Sequence, residues 1–179
     1  MSKARTSSHA IKRYRIPLQR TLACLTKSDI WLTGRPPGDE IYRLAIAGGG
    51  PVLLKRGSGK SNLYFDASQR FDLRHDGTEF RVSTKGYIYT LSESEHLVSE
   101  VVSWHWHPPA RSRPHVHLSD RSLGHIPTGR ITFEAVVRYA IEDLGVTAAR
   151  ADWEDILLST EALHAKYRSW SVDPDVDPH

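Results

Sequence analysis

The stretch LYFDASQRFDLRHDGTEFRVSTKGYIYTL, residues 63–91, decides the fold. Its apolar side chains recur at alternate positions, as at Leu63, Phe65 and Ala67, and a period of two belongs to a strand whose side chains alternate between faces. Leu63 to His75 reads as one long strand or two short ones. Asp76-Gly77 then supplies the positive-φ residues of a tight hairpin, and Thr78 to Thr84 returns. Lys85-Gly86 marks a turn or bulge before the strand Tyr87 to Leu91.

Working outward, Ser92–Glu95 is a polar turn, Leu97 to His107 a further strand, 108–114 a loop, and His115 to Leu118 the strand that comes back. Upstream, Val52–Leu54 reads as a strand. Ile41 to Ala47 fits strand or helix, stopped by Gly48-Gly49-Gly50-Pro51. Leu18, Leu22 and Leu25 predict a short helix over 17–27. Downstream, Thr132 is a good N-cap, and Phe133, Val136, Val137, Ala140, Ile141 and Leu144 hold helical spacing up to Gly145, a C′ glycine. A second helix runs from about Asp152 to Ser169 and buries Trp153, Ile156, Leu157, Leu163 and Tyr167. Turn-linked strands followed by helices predict an α+β fold: an antiparallel meander sheet with C-terminal helices packed on one face. The expected organisation is a basic flexible arm over 1–16, a single α+β domain over 17–170 and an acidic flexible tail over 171–179.

A chain of 179 residues is long enough for one sizeable domain. Nothing approaches the 18 or more apolar residues of a membrane span, and the first residues lack a secretory h-region, so a cytoplasmic protein with no membrane partner is expected. Cys24 is the only cysteine, which excludes an internal disulfide and any Cys-based zinc finger. It reads as a buried small hydrophobe. Residues 1–28 carry Lys3, Arg5, Lys12, Arg13, Arg15, Arg20 and Lys27 with no acid before Asp29, a distribution suited to a phosphate backbone, an acidic protein or simple solvation.

The chemistry concentrates in Trp104-His105-Trp106-His107-Pro108 and Pro114-His115-Val116-His117-Leu118. Alternation places Val98, Val102, Trp104 and Trp106 on the core face and His105 and His107 on the other; Val116 and Leu118 take the core role in the returning strand, leaving His115 and His117 outside. With 108–114 as the loop, His107 falls opposite His115 and His105 opposite His117, giving one patch of four imidazoles. A one-residue slip would destroy that patch.

Three readings compete for it. Histidines at this spacing bind divalent transition metals such as zinc, with Asp120 and Glu134 the nearest acids to complete a site. Without a metal, a pair of histidines can cleave RNA by acid–base catalysis, with Arg111, Arg113 and Arg130 holding phosphate and no cofactor required. The bland reading is a solvated polar face. His125-Ile126-Pro127-Thr128-Gly129-Arg130 is a second possible element of the site, or a plain helix lead-in.

Some signals are refused. Gly57-Ser58-Gly59-Lys60-Ser61 is not a P-loop, because Leu54 stands where the pattern needs glycine and a strand follows. The His-x-His pairs lack the spaced glutamate and glycines of a cupin. Tyr87 and Tyr89 read as packing residues, not base-stacking ones.

The ordered series His-Trp-His-Pro, Pro-His-Val-His-Leu and His-Ile-Pro-Thr-Gly-Arg, with the amphipathic helix after it, resembles a group of small bacterial proteins that share it. More remotely it is similar to the TumE-like toxins of toxin–antitoxin modules, although His105-Trp106-His107 and the Arg-bearing loop depart from their His order. The resemblance implies an RNA-directed, toxin-like protein with RNA and a cognate antitoxin protein as partners. No catalytic assignment transfers from those toxins, so the expectation of an endoribonuclease using His105, His107, His115 and His117 rests on the residues themselves.

Overall fold

The computed structural model describes residues 4–33, 41–48, 50–108, 111–120, 122 and 124–170. Its strands are β1 (Ile30–Thr33), β2 (Tyr42–Ile46), β3 (Val52–Leu54), β4 (Leu63–His75), β5 (Phe80–Ser92), β6 (Glu100–His107), β7 (Arg111–Leu118), β8 (Ile126–Pro127) and β9 (Arg168–Trp170). Its helices are α1 (Ser7–Leu22), α2 (Phe133–Glu142) and α3 (Trp153–Tyr167). The strands join in one sheet ordered β1-β2-β4-β5-β6-β7-β8, with β3 beside one end of β4 and β9 beside β5. From β4 to β7 this is the expected antiparallel meander; β8, in a stretch expected as loop, extends it, and among the described strands β9 pairs in parallel, along Val82–Thr84 of β5.

Leu63 to His75 is one unbroken strand because Leu63, Phe65, Ala67, Gln69 and Phe71 all bury the same face. Gly77 takes φ +88 in the turn, and Asp76 accepts from the Thr78 hydroxyl at 2.7 Å and from the Thr78 and Glu79 amides at 3.0 Å. Lys85-Gly86 is the expected bulge: Arg70 pairs Gly86 and Phe71 pairs Thr84, so Lys85 is the extra residue. Ile41 to Ala47 resolves as strand, with Tyr42–Phe71 its first pair on β4.

α2 begins at the Thr132 cap, whose side chain accepts from the Ala135 amide, and ends before Gly145 at φ +74. Phe133, Val136, Val137 and Ala140 are buried against the sheet. On α3, Ile156 and Leu157 are buried as expected; Thr160 and His164 share that burial. The Tyr167 side chain lies outside the described residues.

The chain departs from its expected organisation at the N-terminus. Residues 7–16 are not an arm but the first half of α1, capped by the Thr6 side chain on the His9 amide. Ala10, Tyr14, Pro17, Leu18, Thr21 and Leu22 form its buried stripe, and of the cations that suggested an arm Lys12, Arg13, Arg15 and Arg20 occupy the other faces of this helix. Tyr14 donates to Gln69 on β4, Gln69 donates to Tyr89 on β5, and Tyr14 Oη lies 3.1 Å from Thr84 Oγ1. The helix expected over 17–27 ends at Leu22, five residues short. Residues 1–3 and the tail over 171–179 lie outside the described residues.

All three helices pack on one face of the sheet. Where they meet, Thr21 Oγ1 lies 3.3 Å from Glu134 Oε1 and 3.0 Å from Thr160 Oγ1, and His164 Nδ1 lies 2.6 Å from Glu134 Oε1 with both side chains 2% exposed. Glu134 is therefore a core residue under the sheet and not the acid of a surface metal site. Cys24 is buried as expected, and desolvation pushes its thiol up to about 11.

Candidate metal centre

The opposite face of the sheet is open, and the histidines lie on it. Trp104 and Trp106 decide this. Both indoles are buried, Trp104 against Tyr139 of α2 and Trp106 against Tyr87 and Arg130, and each contributes roughly 2–3 kcal/mol of burial that a one-residue slip would forfeit. His105 and His107 consequently project from the other side of β6, and His115 and His117 do so from β7.

The cross-strand pairing differs from the expected one. His105 pairs His115, Ser103 pairs His117, and His107 pairs Arg111, with an irregularity between His105 and His107. Strand β7 begins at Arg111, so the expected loop over 108–114 contracts, and residues 112–114 bulge where Pro114 has no N–H to donate. The expected register would have set Asp120 opposite Val102 on the buried face. The observed one pairs Val102 with Leu118 and Trp104 with Val116, apolar against apolar. A shift of two residues preserves the face, so the four imidazoles still converge. Val98, expected in the core, is 69% exposed because β6 begins only at Glu100, after Leu97 turns at φ 56.

A fifth imidazole joins them. β8 pairs Val116 with Ile126, and continuing that register sets His125 opposite His117. Ring centroids lie 4.3 Å apart for His117–His125, 4.6 Å for His105–His117, 4.8 Å for His115–His125 and 5.3 Å for His107–His115. Two sets of three, His105/His107/His115 and His115/His117/His125, each bring one ligand nitrogen per ring within 4.8 Å of the others. His115 belongs to both.

Hydrogen bonds orient the rings. His115 Nδ1 lies 3.1 Å from the Arg113 carbonyl, which only accepts, so Nδ1 carries the hydrogen and Nε2 keeps a lone pair. That Nε2 is buried and takes no hydrogen bond among the described residues, on a side chain 4% exposed. Ser103 Oγ lies 2.6 Å from His105 Nε2 and 2.7 Å from Thr90 Oγ1. Burial, then the neighbouring His117, His115, His107 and His125, push the His105 pKa down from 6.5 to about 4. A neutral ring is what a metal ligand requires.

The expected phosphate-binding arginines do not all belong here. Arg130 stacks over the Trp106 ring at 4.5 Å, and Trp106 lies on the helix face, away from the histidines. Arg113 is exposed, and its carbonyl, not its charge, serves the site. Arg111 stands opposite His107 in β7, with its side chain outside the described residues. Asp120 is exposed and accepts from the Ser122 amide. Instead the histidine face carries Arg43 and Arg70, which line a groove with His105 and His107. Each sits at an outward position of its strand, but only the strand order makes them neighbours. Tyr87 and Tyr89 are packing residues as expected, both buried and stacked on each other at 4.8 Å.

No protein-family model, curated protein or solved structure matches the chain.

Proposed function

We propose that the imidazole cluster is a transition-metal centre and that the protein is a metal-dependent hydrolase. The observation that carries this reading is His115 Nε2: a buried nitrogen with its lone pair free, where two three-histidine sets meet. Metal–imidazole bonds of about 2.0–2.1 Å suit such a gathering, and nitrogen-only sites favour zinc, copper, nickel or iron. Three histidines would hold such an ion with one position open, and the chemistry it would supply there is a water acidified toward neutral pH.

The chain's own groups supply the rest. The Arg113 carbonyl and Ser103 hydroxyl hold two of the rings in place, as supporting hydrogen bonds do at metal sites. His117, whose ring is 5.1 Å from that of His115, would be the neighbouring general base. His115 has one nitrogen to give, the other being bonded to Arg113, so the two sets compete and one ion per chain is expected. Of the two, His105/His107/His115 opens on the groove.

Elemental analysis of untagged protein tests this. About one zinc, nickel, copper or iron ion per chain is expected, lost in His115→Ala. Wild-type protein that is metal-free and takes up none of these ions on titration overturns the reading.

The RNA-cleaving, toxin-like reading places its chemistry on the same face without metal, and the arginine-lined groove favours keeping it second. With its pKa near 4, His105 would serve it as a base and not as an acid at neutral pH. Metal-free protein that cleaves RNA would favour it.

A further inference from the structure

The groove beside the histidines has a volume of about 600 Å³, and Arg43, Ser68, Arg70, Ile88, His105 and His107 are among the residues that line it. That space exceeds the needs of a lone ion and lies within the range of about 300–1,000 Å³ that holds organic ligands. Arg43 on β2 and Arg70 on β4 are direct cross-strand partners. Such partners have Cβ atoms about 4.5–5.5 Å apart, and like charges so placed destabilise a sheet. An anion seated between the two guanidiniums offsets that repulsion.

Arg70 is not splayed into solvent. Its guanidinium lies over β5, with Nη2 3.2 Å and Nε 3.5 Å from the position a Cβ on Gly86 would take. Nη2 donates to the Pro108 carbonyl at 3.3 Å, which fixes the head beside His107. One donor is spent on that anchor, and the fork keeps the others for a ligand. Asp72, the next acid along this face of β4, is held by Lys85 at 2.9 Å.

We propose that this groove seats the phosphoryl group of a phosphate-ester substrate between Arg43 and Arg70, presenting the ester to the histidine centre. The proposal deepens the hydrolase reading and rests on it for the reaction, although not for the binding. Phosphate fits better than carboxylate, because two forks approaching from different strands match a tetrahedral oxyanion, whereas a planar carboxylate presents two oxygens in one plane. Ile88, 40% exposed on the groove wall, offers apolar contact to the organic part of the ester.

Calorimetric titration of the full chain with phenyl phosphate and with a short single-stranded oligoribonucleotide tests the proposal, with metal content measured on the same samples. Arg43→Met and Arg70→Met should each raise Kd at least tenfold for the probe that binds, leaving metal content and melting temperature unchanged. Which probe binds identifies a small monoester or a nucleic-acid diester as the source of the phosphate. His115→Ala should lose metal and keep phosphate binding. If the arginine effect is found in wild-type protein that is isolated metal-free and takes up no metal on titration, the phosphate site stands and the metal centre falls. If neither probe binds saturably, or both arginine variants bind as wild type does, the phosphate site is overturned. Because Arg43 is exposed, its variant keeps the test decisive even if Arg70→Met is unstable.

Discussion

Gly86→Ala is the substitution that most directly joins the fold to the site. A Cβ at this position would stand 2.5 Å from the Trp106 carbonyl oxygen, a backbone atom of the neighbouring strand, and 3.2 Å from Arg70 Nη2. Close carbon–oxygen contacts in sheets begin at about 3.3 Å, so β5 and β6 must part by roughly 0.8 Å or the bulge must rearrange. Overpacking of this kind costs about 1–3 kcal/mol, and the stiffer unfolded chain returns about 0.4–1. A net loss of about 1–2 kcal/mol follows, and at this chain length it lowers Tm by roughly 2–8 °C. The strand that moves carries His105 and His107, so metal affinity should fall about tenfold as well, the scale on which disturbed supporting contacts act. Thermal unfolding and metal titration of the same variant check both effects, with Gly57→Ala as control because no heavy atom lies within 4 Å of its added Cβ. If Gly86→Ala melts within about 1 °C of wild type and binds metal as tightly, the reasoning from this close approach is refuted.

Two further predictions concern titration and the core. The folded state holds the His105 pKa at about 4 against 6.5 when unfolded, with His107, His115, His117 and His125 around it. The unfolded chain therefore binds the proton more readily, and stability present above pH 6.5 is lost as the pH falls toward 4. Fully shielded, a shift of this size is about 3 kcal/mol; for a half-buried ring, solvent screening reduces it to about 1–2. Urea unfolding of chelated protein between pH 7.5 and 4.5 should show this slope, and His105→Gln should flatten it; an unchanged slope in the variant contradicts the assignment. On the other face, Glu134→Ala strips the partner from buried His164 and Thr21 and should cost about 3–5 kcal/mol. Denaturant midpoints decide this, and a loss below about 1 kcal/mol would show that the three-helix junction does not depend on the carboxylate.

Much of the fold was legible in residues 63–118. Strand period, the Asp76-Gly77 turn, the Lys85-Gly86 bulge and the Thr132 cap are local effects, each settled by a few neighbouring side chains. α1 was not legible in full because Pro17 inside it reads as a helix break and Thr21 in its buried stripe is polar, and the buried face emerges only against Gln69 and Thr84. Likewise Glu134 looks like a surface acid in sequence, and only the packing of α1 against α2 and α3 makes it a core residue.

For the site, the sequence alone determined the face. Trp104, Trp106, Val116 and Leu118 had to be buried, and alternation then left His105, His107, His115 and His117 together on the other side, whatever the loop did. Register was decided by tertiary structure, because a two-residue slip leaves every side chain on its face, and only the cross-strand partners, Leu118 or Asp120 opposite Val102, tell the two registers apart. Pro114, the bulge beside it and the pairing of Val102 with Leu118 selected the observed one. The same step brought in His125 through the β7–β8 pair, removed Arg130 to the helix side and set Arg43 beside Arg70. Those relations span strands far apart in the chain, and only strand order and hydrogen-bond register can create them.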